Sequence, residues 1–166
     1  MTGHRYLRIV LGLAAGALAF GQPAEAAMGC WNADQAAAAK VRDLQSRLMV
    51  ATLRCKAIGI DLLPAYNDFV RANRTTLQQA NGLLRAQFAL GYGPEGESAY
   101  DHFATALANA YGGDSTTQAT CDDIAAAASE AAGAAGDVTG LLAVESRLGP
   151  SPELPGGACP ITFSQR

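Results

Sequence analysis

The chain has 166 residues, of which 49% are hydrophobic and 16% charged, and its net charge is −3 at pH 7. A mildly acidic chain lacks the basic surplus that neutralises phosphates, so its composition argues against nonspecific nucleic-acid binding. Its length is enough for one domain with its own core and too short for two. The charge is uneven, because residues 34–85 hold eight basic and four acidic side chains, whereas residues 95–153 hold ten acidic side chains and one arginine.

The first 26 residues are organised like a secretory signal peptide. A charged start is followed by the apolar run Ile9 to Phe20 and by Ala24-Glu25-Ala26, which has the form of a cleavage site. Twelve apolar residues in a helix span about 18 Å, too little for a hydrocarbon core of about 30 Å. We therefore expect export, most simply to the periplasm, with cleavage after Ala26 and no membrane span in the mature chain.

Cys30 offers an alternative, because Ala27-Met28-Gly29-Cys30 loosely resembles the small-small-Cys pattern of lipoprotein processing. The match is weak, since Ala27 stands where that pattern wants Leu. Lipidation would also leave three cysteines, and an odd thiol is unfavourable in an oxidising compartment. We favour a disulfide at Cys30 over lipid anchoring.

The first predicted helix begins near Ala33 and carries an apolar seam that ends at Cys55. Asn32 and Gln35 form the pattern of a capping box before it. The seam repeats at steps of four and three, as in a helix packed lengthwise against other helices: Ala37, Val41, Leu44, Leu48, Ala51 and Cys55. Asp43 and Arg47 have the spacing of an ion pair, which we place on the outer face.

The second predicted helix starts at Asp61 and tolerates Pro64 in its first turn. Its inward-facing set is Tyr66, Phe69, Val70, Leu77, Ala80, Leu84 and Phe88. Asn73 lies on the same stripe. One polar residue on a packed stripe usually satisfies a core hydrogen bond or fixes register, and we favour that role over ligand binding.

The third and fourth helices follow clear breaks in the chain. The third runs from Pro94 or Ser98 to Tyr111, and the fourth opens at Ser115 with Gln118 in a capping box. Glycines at 133, 136 and 140 predict a bend or loosening of the fourth helix, because each costs about 1 kcal/mol relative to Ala. After Leu148, prolines and glycines predict an extended strap that carries Cys159.

These elements predict an all-α fold, a four-helix up-down-up-down bundle. Its organisation is a signal peptide at 1–26, a helical domain at 27–148 and the strap at 149–166. Cys30 and Cys55 lie about 37 Å apart along one helix, whereas a disulfide needs Cα atoms within about 7 Å. In this topology Cys55 meets Cys121 at one end and Cys30 meets Cys159 at the other, with Trp31 packed over the second bridge or, as an alternative, stacking on a ligand.

The mature chain offers little conventional catalytic or metal-binding chemistry. The sequence has no nucleophile elbow, P-loop, dinucleotide fingerprint, zinc-protease motif or haem-attachment motif. His102 is the one histidine after residue 26, and metal sites of zinc and iron need three or four converging ligands. We therefore predict no catalytic residues, no cofactor and no metal.

Three stretches resemble a group of small exported bacterial helical proteins with no established activity. They are Cys30-Trp31-Asn32-Ala33-Asp34-Gln35, Val41-Arg42-Asp43-Leu44-Gln45-Ser46-Arg47-Leu48 and Pro152-Glu153-Leu154-Pro155-Gly156-Gly157. Some of that group are labelled S-adenosylhomocysteine hydrolase, an enzyme that is far larger and built on a dinucleotide-binding fold. Because this chain lacks the glycine-rich dinucleotide motif, the resemblance implies no such activity.

Two classes of function remain open ahead of an enzyme. The favoured one is a noncatalytic periplasmic protein that binds a macromolecular or envelope partner. It is favoured because the predicted disulfides make the scaffold rigid and because basic and acidic residues are concentrated in different halves of the chain. The second is a small-molecule carrier that uses the bundle interior, with a cavity of about 300 Å³ or more. Its candidate lining residues are Tyr66, Asn73, Phe103 and Tyr111.

Overall fold

The computed structural model describes residues 29–113 and 115–160, and its regular structure in these ranges is helical apart from one isolated bridge between Trp31 and Ala158. No helix in these ranges is long and apolar enough to cross a membrane. The predicted signal peptide lies outside the described residues. The α-helices are α1 (Ala33–Ala57), α2 (Leu63–Ala72), α3 (Arg74–Tyr92), α4 (Gly96–Ala110), α5 (Gln118–Gly133) and α6 (Val138–Leu148), and a 3₁₀ turn (Gly93–Glu95) joins α3 to α4.

Helix α1 is the centre of the fold and contacts each of the other five helices. Its predicted start is confirmed, because Asn32 and Gln35 form a reciprocal capping box in front of Ala33. The seam residues Val41, Leu44 and Leu48 are buried. A 25-residue helix that is surrounded in this way forms the axis on which the core is built.

Two of the four predicted helices are each divided in two. The second breaks at Asn73 into α2 and α3, and the fourth breaks at residues 134–137 into α5 and α6. The second break includes Ala135 and Gly136, both at positive φ, in the glycine-containing stretch where the sequence predicts loosening. The all-helical prediction is confirmed, whereas four rods in up-down-up-down order stay a prediction.

Two predicted helix starts are also corrected. Helix α5 opens with a capping box of Thr117 and Thr120, so the box predicted at Ser115 and Gln118 is wrong. Helix α2 begins at Leu63, and the Asp61 side chain accepts from the Leu63 amide instead of capping from the predicted position. The error at α5 arises because Ser115, Thr116 and Thr117 have equivalent capping chemistry.

Asn73 connects the two helix breaks. Its Nδ2 donates to the carbonyl oxygens of Phe69 at 2.9 Å and Ala131 at 2.8 Å, and its Oδ1 accepts from the Gly136 amide at 2.8 Å. The side chain is 1% exposed. Asn73 therefore satisfies backbone groups at both breaks, which confirms its predicted role as a core hydrogen-bonding residue.

Two disulfides join the segments that the sequence analysis pairs. Cys30 is bonded to Cys159, and Cys55 to Cys121. The extended strap, described over residues 149–160, returns to the start of α1. There Trp31 donates from its indole to the Pro155 carbonyl at 2.6 Å and packs against Phe88 and Phe103. Trp31 thus closes this end of the core beside the Cys30–Cys159 bridge, the packing role predicted for it.

Replacing Asn73 with Ala should destabilise the protein by about 2–4 kcal/mol, because the substitution leaves buried backbone groups at both breaks without partners. Urea unfolding followed by circular dichroism measures this change. Asn67→Ala, on the exposed face of α2, is the matched control and should change stability by less than about 0.5 kcal/mol. Equal effects of the two substitutions would contradict the connecting role of Asn73.

Candidate functional site

An open cleft of about 860 Å³ lies between α1, α4, α5 and the strap. One end reaches Cys55, so the Cys55–Cys121 disulfide fixes the α1 and α5 walls relative to each other. Apolar side chains cover much of its surface: Ala51, Phe103, Ala106, Leu107, Ala110, Ile124, Leu148, Pro150 and Pro152. Its polar lining residues are Asp43, Arg47, Arg54, Tyr111, Ser115, Thr116, Thr120, Asp123, Ser151 and Glu153.

A polar triad of buried Asp43, buried Arg47 and half-buried Tyr111 lies at the α1 side of the cleft. The Tyr111 hydroxyl donates to Asp43 Oδ1 at 2.6 Å and accepts from Arg47 Nη2 at 3.0 Å. The same guanidinium nitrogen is 3.7 Å from Asp43 Oδ2, and the guanidinium carbon is 4.5 Å from the centre of the Tyr111 ring. These three side chains therefore satisfy much of one another's polarity inside the protein.

The triad changes the acidity of its members. Burial is the main cause that raises the pKa of Asp43, and the Tyr111 hydrogen bond and the Arg47 charge act against it. Burial, together with the hydrogen bond to Asp43, raises the pKa of Tyr111 to about 12. Tyr111 is therefore a neutral hydroxyl at physiological pH and serves as a hydrogen-bond donor to Asp43.

The predicted ion pair of Asp43 and Arg47 is confirmed, but its predicted position on the outer face is wrong. Asp43 is 0% and Arg47 8% exposed, because neighbouring segments cover α1 around this pair. The spacing of four residues is the same for an exposed and a buried pair. The signal that could have revealed burial is a second stripe of small side chains, since Ala39 and Ser46 lie four before and three after Asp43 and are also buried.

The strap forms one wall of the cleft and contacts the guanidinium of Arg47. Arg47 Nη2 lies 3.4 Å from the Pro150 carbonyl oxygen, a long hydrogen bond. Gly149 has φ 148°, and a Cβ there would come within 2.8 Å of Arg47 Nη1. The strap can therefore approach the guanidinium this closely only because residue 149 is glycine.

Glu145 on α6 is a further buried carboxylate close to the triad. It is 1% exposed, and neither carboxylate oxygen accepts a well-formed hydrogen bond from a described residue. Burial raises the pKa of Glu145 most strongly; the positive charge of Lys40 and the nearby Ser151 hydroxyl lower it, and the negative charge of Asp43 raises it. The burial of Glu145 is not evident from the sequence, because an isolated acid on a short helix looks like a solvated one.

Two of the four predicted lining residues reach the cleft. Phe103 and Tyr111 line it, whereas Tyr66 and Asn73 do not. Tyr66 is half-buried beside Phe69, with ring centres 6.2 Å apart, and Asn73 is occupied by backbone groups. Binding in this cleft would therefore involve Phe103 and Tyr111 but neither of the other two.

His102 is exposed on α4 and faces a second, shallower groove of about 570 Å³. The carboxylate that shares this groove is Glu153, which is exposed and also lines the main cleft. Neither Asp43 nor Glu145 lines the groove. Within the described ranges, no group of three or more His, Cys, Asp and Glu side chains is arranged to hold a metal ion.

Asp123 and Glu153 line the main cleft from two different segments, the first on α5 and the second on the strap. Both are exposed, and neither side chain forms a hydrogen bond or ion pair with another described residue. The accessible part of the cleft thus carries two carboxylates that have no partner among the described residues.

Comparison of the chain with protein-family models, with curated proteins and with solved structures finds no match. The site is therefore interpreted from its own geometry and chemistry.

Replacing Glu145 with Gln should stabilise the protein by about 1 kcal/mol at pH 7.5 and by less near pH 4.5, because the substitution removes a buried charge that lacks a well-formed hydrogen bond. The sign follows from the raised pKa. Between its unfolded and folded pKa values the native state binds more protons, so wild-type stability decreases as pH rises through that window.

Urea unfolding of both proteins at several pH values measures this difference. Glu95→Gln, at an exposed position in the 3₁₀ turn, is the control and should show no comparable pH-dependent gain. A Glu145→Gln protein that is less stable than wild type by the same amount at every pH would contradict the assignment of an unsatisfied buried carboxylate.

Proposed function

We propose that this chain is a noncatalytic exported protein that binds a small amphipathic molecule in the cleft between α1, α4, α5 and the strap. The observation that carries the proposal is the size and lining of the cleft. Its volume of about 860 Å³ lies in the range of small-molecule sites, about 300–1,000 Å³. This observation favours the small-molecule carrier over the macromolecular binder that the sequence alone favours.

The cleft lining offers both apolar and polar groups, as an amphipathic ligand requires. Ala51, Leu107 and Ile124 provide apolar surface for the body of the ligand, while hydroxyls and charged groups lie along the edges. Burial of apolar surface contributes roughly 25 cal/mol per Å², and a few polar contacts orient the bound molecule. The absence of a reaction is part of the proposal, and the separation of His102 from Asp43 and Glu145 supports it.

Export is a second part of the proposal. Two disulfides are typical of chains that mature in an oxidising compartment, and the first 26 residues have the pattern of a signal peptide. We also propose that α1, the α2–α3 pair, α4 and the α5–α6 pair act as the four rods of an antiparallel bundle. In this arrangement the cleft opens where α4, α5 and the strap meet α1.

A neutral fluorescent probe, N-phenyl-1-naphthylamine, tests binding to the cleft. Its emission should increase when it enters the apolar lining, and Ala110→Trp should reduce the affinity by about tenfold, because the larger side chain fills space that the probe needs. Fluorescence titration of the disulfide-bonded protein measures both effects.

Thr105→Trp is the matched control, since Thr105 is also exposed on α4 but does not line the cleft. It should leave probe affinity unchanged. Equal loss in the two variants, or no binding by the wild-type protein, would contradict the proposed function. Circular dichroism shows whether each variant is folded.

A macromolecular or envelope partner is the second candidate function. Leu83 and Leu90 on α3 are 43% and 82% exposed, and their spacing of seven places them on one helix face. A pull-down from a periplasmic extract should recover a specific partner with wild type and not with the double variant Leu83→Ser and Leu90→Ser. Recovery of the protein alone in repeated experiments would count against this candidate.

A further inference from the structure

We propose that the molecule bound in the cleft is an organic cation with an apolar body, such as an aryl- or alkylammonium compound. This inference rests on the proposed function and names the ligand class for the same cleft. The inference follows from the charged side chains that line the cleft. Some of these side chains already have partners within the protein, and others do not.

The arginines of the cleft are engaged by the protein itself. Arg47 is 8% exposed and its guanidinium contacts Asp43, the Tyr111 hydroxyl and the Pro150 carbonyl. Arg54 is half-buried, and its Nη1 donates to the main-chain carbonyl of Tyr111 at 2.6 Å. Both guanidinium groups are therefore held against the backbone that forms the cleft walls.

The carboxylates are engaged less completely. Asp123 and Glu153 are exposed at the cleft, and their side chains have no hydrogen-bond or ion-pair partner among the described residues. Asp43, which also lines the cleft, is fully buried, and its Oδ2 accepts no hydrogen bond from a described residue. Because Asp43 Oδ2 is held 3.7 Å from Arg47 Nη2, the carboxylates left for a ligand come from two segments, α5 and the strap.

This arrangement selects for ligand charge. A cation bound in the cleft gains electrostatic attraction from Asp123 and Glu153, whereas an anion meets repulsion from both carboxylates. The apolar floor beneath, which includes Leu107 and Ile124, accommodates the body of the ligand. A neutral molecule of the same shape gains only the free energy of burying its apolar surface. The expected order of decreasing affinity is therefore cation, neutral molecule, anion.

Three compounds with the same aromatic body separate these contributions: 1-naphthylmethylammonium, 1-naphthalenemethanol and 1-naphthylacetate. Titration into the ¹⁵N-labelled, disulfide-bonded protein, followed by NMR, gives the affinity and the location of binding together. We expect amide shifts at residues lining the cleft, with the ammonium compound bound more tightly than the alcohol and the acetate bound most weakly. Raising the ionic strength should reduce the preference for the ammonium compound.

The carboxylate variants identify the charges responsible. Asp123→Asn and Glu153→Gln should each weaken ammonium binding about threefold, in line with the strength of exposed charge pairs, and should leave the affinity for the alcohol unchanged. Asp122→Asn is the matched control, because it removes the same charge one position away on α5, at a residue that does not line the cleft. That variant should bind all three compounds like wild type.

The outcomes distinguish this inference from the proposed function. Binding of the alcohol in the cleft, together with equal or tighter binding of the acetate than of the ammonium compound, would overturn the cation inference and leave the binding function in place. Equal weakening by Asp122→Asn and Asp123→Asn would likewise overturn it. If none of the three compounds shifts the cleft amides, both proposals fail.

Discussion

The buried guanidinium of Arg47 determines how the end of α4 and the strap are positioned against α1. Removing an arginine from water is costly unless its charge and its donors are satisfied. Arg47 obtains its partners from Asp43 on the same helix, from Tyr111 after α4 and from Pro150 in the strap. Two segments far apart in sequence, the end of α4 and the strap, must therefore converge on one side chain of α1, and the cleft lies beside that side chain.

The two disulfides and Trp31 also hold the strap and α5 against α1. Cys30–Cys159 and the Trp31 hydrogen bond to Pro155 tie the strap to the start of α1, and Cys55–Cys121 ties α5 to its end. A cleft whose walls are fixed before binding loses less conformational entropy when a ligand arrives. The two disulfides thus restrict movement of the strap and of α5 relative to α1.

Local signals allowed the sequence to predict much of the fold. The capping box at Asn32 and Gln35 located the start of α1, helix length excluded a bond between Cys30 and Cys55, and the polar position of Asn73 on an apolar stripe indicated a core hydrogen bond. The helix breaks were harder, because the break at Asn73 is stabilised by Ala131 and Gly136 from a distant segment. The cleft is lined by α1, α4, α5 and the strap, so Tyr111 at the end of α4 reaches it, whereas Tyr66 on α2 packs beside Phe69. Both tyrosines lie on regular apolar stripes, and the sequence alone does not show which helices meet at the cleft.

The placement of the four cysteines also changes what a protease can do to the chain. Cys30 is bonded to Cys159, so residues 30–159 form a covalent ring, and the Cys55–Cys121 bridge crosses that ring. A single cut at any peptide bond within the ring opens it but releases no fragment, because the two pieces stay linked through sulfur. One nick in the turn at Gly112 and Gly113 would therefore leave both halves attached to each other.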